Sequence, residues 1–125
     1  MVNVPISIGE LFDKISILYI KSKRISEKSK LDNVNKELKL LYKKAIKINP
    51  LFLKDFHYKK LEKINSVLWD IEESKRAHEK SKDFGQKFIY LSRQVYIMND
   101  ERANLKKSIN KKYSSGIIEE KSYKK

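Results

Sequence analysis

The stretch PISIGELFDKISILYIKSKRI (residues 5–25) carries two signals at once. Ser7 stands three residues before Glu10, the spacing at which a hydroxyl caps a helix start and the acid returns the bond. Ile8, Leu11, Ile15, Leu18 and Ile25 then recur at helical intervals, so a helix gathers them on one face. The spacing predicts a helix over 8–27. Away from Leu11 and Ile15, the same helix collects Glu10, Asp13, Ile17, Ile20, Lys21 and Arg24. A helix in a simple bundle needs one apolar stripe, and Ile17 and Ile20 gain nothing from facing water. This second face therefore predicts an additional surface for burial.

Working outward, Leu31, Val34, Leu38, Leu41, Ala45 and Ile48 form another stripe, closed by Asn49 and Pro50, which predicts a helix over 31–48. Leu61, Ile64, Leu68, Ile71 and Lys75 predict a third over 55–80. Phe84, Phe88, Leu91, Val95, Met98, Leu105 and Ile109 predict a fourth over 83–112. No segment alternates with period two. Gly116 interrupts the residues that follow, leaving 113–125 as a short tail. The 125 residues suffice for one domain burying roughly two-thirds of its unfolded surface. The expectation is an all-α, antiparallel four-helix bundle occupying 1–125, with each stripe packed against its neighbours.

The other two long helices also present mixed faces. Tyr58, Trp69, Glu73 and Arg76 share one side of the third; Ile89, Arg93, Tyr96, Asp100 and Ala103 share one side of the fourth. Each combines apolar or aromatic groups with an arginine and a carboxylate. Such faces suit a homodimer seam, whose core favours aromatic residues and arginine. They equally suit a cleft in which cations meet an anionic small molecule and an aromatic ring covers its apolar part. In VYIMNDERANLKK (residues 95–107), Arg102 falls inside the apolar stripe. A buried guanidinium without a partner costs several kcal/mol, so Arg102 either reaches a carboxylate across the bundle or snorkels to an end; Asp13, Asp70, Glu73 and Asp100 are the candidate partners, although Asp100, two residues away, points elsewhere on a helix. The expected ligand contacts are Lys21, Trp69, Arg76, Arg93, Tyr96 and Arg102, with Asp13, Asp70, Glu73 and Asp100 orienting the cations. The tail over 117–123 is expected to cross the bundle mouth, where Glu119 or Lys121 completes the site.

Composition narrows the remaining classes. Lys and Arg together number 29 against 16 acids, a formal charge of +13, which invites a nucleic-acid reading. Only four of the 29 are Arg, whereas base readers and phosphate clamps favour the guanidinium fork, so surface lysines for solubility account better for the excess. Nucleic-acid binding stays an alternative. The absence of cysteine excludes disulfides and thiolate-bound metal centres. No apolar run is long enough to span a membrane and no leader pattern opens the sequence, so the expected location is cytoplasmic, with no membrane partner. There is no nucleophile–base pattern, phosphate loop or dinucleotide fingerprint, so no catalytic residue, metal or cofactor is assigned.

Three resemblances bear on these residues. Glu10 with Asp13, and Asp70 with Glu73, joined by Asp100, resemble the E-x-x-D elements of metal-dependent all-α nucleotide pyrophosphohydrolases, although the E-E-x-x-E element of that family is absent and capping already accounts for Glu10. ELFDKISILYIKSKRI is similar in rhythm to the first helix of all-helical chorismate mutases, without the arginine expected near its start. PISIGELFDKISIL, LWDIEESKR, VYIMNDERANLKKSIN and EEKSY together resemble a family of small bacterial all-helical proteins of unknown function, sometimes encoded among surface-polysaccharide genes. That resemblance spans nearly the whole chain and implies membership without an activity. It singles out Glu10, Asp13, Lys14, Trp69, Asp70, Glu73, Arg76, Tyr96, Asn99, Asp100, Arg102, Lys121 and Tyr123. The leading expectation is a non-catalytic protein that binds an anionic metabolite or a protein partner, with the hydrolase as its enzymatic rival.

Overall fold

A computed structural model describes residues 1–117 and 119–122, among which the chain forms four α-helices, one 3-10 turn and no strand. Helix α1 (Ile8–Arg24) starts as its capping signal predicts, with Ser7 Oγ accepting from Glu10 N at 3.0 Å. It ends earlier than the stripe suggests, because Ile25 turns extended. Helix α2 (Lys28–Ile48) therefore begins three residues before its predicted start. A 3-10 turn (Phe52–Lys54), absent from the periodicity, leads into α3 (Phe56–Ser81). There Asp55 is the cap: its carboxylate accepts from His57 N at 2.8 Å and Tyr58 N at 3.1 Å. Lys82 closes α3 in the left-handed region, φ 55°. Asp83 accepts from Gly85 N at 3.2 Å, which delays α4 to Gln86–Lys112. Phe84, placed in the fourth stripe by its spacing, lies in this turn and is half exposed.

The four helices are not equivalent. α1 packs against α2, α3 and α4, and α3 packs along α4, whereas the backbone of α2 approaches α1 and the 3-10 turn but neither α3 nor α4. α1 is thus the central rod. Part of its second face is covered within the same molecule: Asp13 is fully buried, Ile20 is buried and Ile17 is half-buried, while Arg24 stays exposed. For Asp13 and Ile20 that corrects the expectation that this face awaits another surface. The sequence could not tell an inner helix from an outer one with a partner, since both demand two faces.

An aromatic group fills the end of the molecule where the start of α1 meets the α2–α3 junction. Phe12 stacks on Phe52 with centroids 5.3 Å apart, and Tyr58 and Tyr113 meet Phe12 edge-on at 6.2 and 5.4 Å. Leu11, Ile15, Ala45, Leu61 and Ile109 complete this core. Tyr58, assigned by spacing to a mixed outer face, lies inside because the 3-10 turn covers that side of α3 at its start. At the α1–α4 crossing, a Cβ on Gly9 would sit 2.5 Å from the Lys106 carbonyl oxygen. Only glycine permits this approach, and the Gly9 N–H donates to Asn110 Oδ1 at 2.7 Å across it.

Candidate functional site

The central position of α1 puts Asp13 under α3 and α4 together. Its Oδ1 accepts from Asn65 Nδ2 on α3 and from Arg102 Nε on α4, both at 2.9 Å, and Arg102 Nη2 donates to Oδ2 at 2.5 Å. Asn65 also donates to Ser16 Oγ at 2.7 Å, whose hydroxyl donates back to the Asp13 carbonyl. The two-pronged pair fixes the plane of the guanidinium as well as its charge. It resolves the Arg102 question in favour of Asp13; Asp70 and Glu73 are engaged elsewhere. Hydrogen bonding to Asp13 pushes the Arg102 pKa up despite burial.

Four residues on, Lys106 Nζ meets Glu10 Oε2 at 2.5 Å and Glu119 Oε2 at 3.0 Å. Burial works against its charge, but these carboxylates outweigh it and the pKa is raised. Glu119 is held below the usual carboxylate range, since the Ser7 hydroxyl, donating at 2.7 Å, and Lys106 outweigh its burial. Glu120 meets Lys107 at 2.6 Å, and Lys121 meets Asp100 at 3.4 Å. Glu119, Glu120 and Lys121 thus lie against α4. Tyr123 lies outside the described residues.

Between tail and helix runs a groove of about 1250 Å³, whose walls include Tyr96, Asn99, Asp100, Arg102, Lys106 and Lys121. Arg102, Tyr96 and Asp100 are therefore brought together. Asn110 also lines this groove; its Oδ1 accepts from Gly9 N, and its Nδ2 is buried without a partner among the described residues. The first N–H groups of α1 are taken up by Ser115 Oγ, Asn110 Oδ1 and Ser7 Oγ, so the helix start itself is closed to a ligand.

The remaining expected contacts do not join the groove. Arg24 pairs with Asp70 at 2.5 Å, and Trp69 Nε1 donates to Glu73 at 2.8 Å, forming a separate rim between α1 and α3. Lys21 is half-buried on α1, while Arg76 and Arg93 are exposed and carry no ion pair among the described residues. Of the ten expected residues, the groove is lined by Tyr96, Asp100 and Arg102. The acidic pairs also stay apart: each carboxylate meets a cation or, for Glu73, the indole N–H, and no group of three metal-ligating side chains forms among the described residues.

Spacing overlooked Asn65, Lys106 and Asn110. Each carries the same signal that exposed Arg102, a polar residue within or next to an apolar stripe: Asn65 between Leu61 and Leu68, Lys106 beside Leu105, Asn110 beside Ile109. Asp55, which the spacing places at the first position of the third helix, is its cap instead.

A family model described as a family of unknown function (DUF6165) matches residues 2–125, and the chain belongs to that family. No curated protein and no solved structure matches.

Proposed function

From membership of a family whose function is unknown, we propose that this chain, read as an antiparallel helical bundle, binds an anionic small molecule in the α4 groove and performs no chemistry of its own. One observation carries the reading: Arg102, Lys106, Lys107 and Lys121 line a single groove, and the tail carboxylates of Glu119 and Glu120 already occupy two of those cations. Carboxylates that satisfy a cationic wall mark where a ligand anion gains the same bonds. Arg102 is pre-oriented by Asp13, so little side-chain entropy is lost when it meets a ligand. Tyr96, 60% exposed at the groove wall, offers a ring face. The ligand exchanges with Glu119 and Glu120, so the tail is its competitor.

Pyrophosphate titration, followed by thermal shift, tests this. A ligand at a hundred times its dissociation constant stabilises by about 2.7 kcal/mol. Glu119→Gln with Glu120→Gln should bind pyrophosphate more tightly than the wild type, and Lys106→Gln more weakly. No stabilisation of either the wild type or the double variant sinks the reading.

A second reading, homodimerisation, is favoured by one feature of α4. Ile89, Tyr90, Tyr96 and Ile97 are 37–60% exposed along one outward side, with Arg93 and Asp100 among them. Sedimentation of the protein at micromolar concentration should return a dimer, and a monomer removes this reading.

A further inference from the structure

α2 rests on α1 and the 3-10 turn and meets neither α3 nor α4, so most of its circumference is open. Val34, Leu38, Leu41 and Ala45 turn inward, and Lys36, Lys39, Lys43 and Lys47 share the opposite side. Between residues 38 and 60 there are seven lysines, every one exposed, and a single acid, Asp55, which is buried and bonded to Lys112 and Tyr113. In the same corner the chain turns outward with Leu51 63%, Leu53 37% and Phe56 62% exposed, and Lys60 Nζ lies 4.5 Å above the Phe56 ring. Phe52, between the two leucines, is fully buried and anchors the turn. Neither the groove nor the α4 face uses any of these groups.

We propose that this corner docks on an anionic lipid surface, with Leu51, Leu53 and Phe56 entering the headgroup boundary and the α2 lysines lying against the phosphates. Apolar tips ringed by lysine fit a bilayer interface, which offers both hydrocarbon and negative charge. A nucleic-acid backbone offers only the charge and leaves two leucines and a phenylalanine in water. All seven cations are lysines, the ammonium that meets a diffuse anionic surface as a point charge, where a directional phosphate clamp favours arginine. No helix among the described residues is long and apolar enough to cross a membrane, so attachment is peripheral.

Flotation of the full chain with vesicles provides the test. The protein should rise with phosphatidylcholine–phosphatidylserine vesicles at low salt and stay behind with phosphatidylcholine alone. Lys43→Gln with Lys47→Gln should weaken binding about 30-fold, at about 1 kcal/mol per lysine. Leu51→Ser with Phe56→Ser keeps every charge and should abolish most flotation. These side chains lie outside the core, and far-UV circular dichroism checks that the helices persist. Three outcomes overturn the proposal: no flotation with anionic vesicles; flotation of the Leu51→Ser, Phe56→Ser variant equal to wild type, which means adsorption by charge alone; or binding to duplex DNA that displaces the vesicles and survives the same substitutions.

Discussion

Removing the charge of Arg102 while keeping its stem, by Arg102→Met, isolates the pair at the centre of the molecule. The two partners differ sharply in access to water: the Asp13 side chain is 1% exposed, that of Arg102 29%. Arg102→Met therefore strands a carboxylate that water cannot reach, with Asn65 as its one remaining side-chain donor among the described residues. Breaking a buried pair in this way costs about 3–5 kcal/mol. The guanidinium edge is partly hydrated in the wild type, which argues for the lower end, about 3 kcal/mol, or a fall in Tm of about 12 °C at this chain length. Asp13→Asn strands the arginine instead. Arg102 can turn toward solvent, and the new carboxamide still accepts one bond, so the expected loss is about half as large, in the range of a hydrogen bond to a charged group. Asp13→Leu combined with Arg102→Met should recover much of the loss, since a buried pair and an apolar isostere are nearly equivalent. Urea denaturation followed by circular dichroism measures all three. A loss below about 1 kcal/mol for Arg102→Met, or a larger loss for Asp13→Asn than for Arg102→Met, would show that Asp13 is not desolvated as described, and the reasoning fails.

Gly9→Ala places a methyl against the α4 backbone at Lys106, which cannot yield as a side-chain end would, so a loss of about 1–3 kcal/mol is expected in the same denaturation assay. Asp55 ties the start of α3 to the end of α4. Burial raises its pKa, but hydrogen bonds from Lys112, Tyr113 and the Tyr58 N–H prevail and the net shift is downward. A carboxyl whose folded pKa is depressed contributes stability above its unfolded pKa, near 3.9, and that stability is lost as pH falls through the folded value. Asp55→Ala should lower Tm at neutral pH by the equivalent of about 1–2 kcal/mol for the cap, and the gap to wild type should narrow below about pH 4. A gap that stays constant down to pH 2 on the same thermal melts would contradict this role.

Much of the candidate site was legible in the residues. Arg102 stands out as a cation in an apolar stripe, and its demand for a carboxylate leaves Asp13 as one of four candidates. The tail is read as supplying Glu119 or Lys121 to the same end of the molecule. Asp13 was the hardest to single out, because on a helix that packs against three others a carboxylate can lie on an inner face that no single stripe defines. Lys21, Arg76 and Arg93 misled for the opposite reason: a charge on a mixed face looks the same whether the face closes on a pocket or meets water.

Local chemistry in the chain determined where the helices lie. Ser7 and the 3.6-residue rhythm begin α1, Asn49 and Pro50 halt α2, and both act within a few residues of themselves. What the tertiary structure decided is which helix is enclosed and which is left at the margin. α1 meets all three other helices, α2 is free on its lysine side, and Glu119 returns to Ser7 at the start of α1 across more than a hundred residues of sequence. Periodicity reports that a face is apolar, but the identity of what covers it depends on contacts between distant segments, which no local pattern encodes.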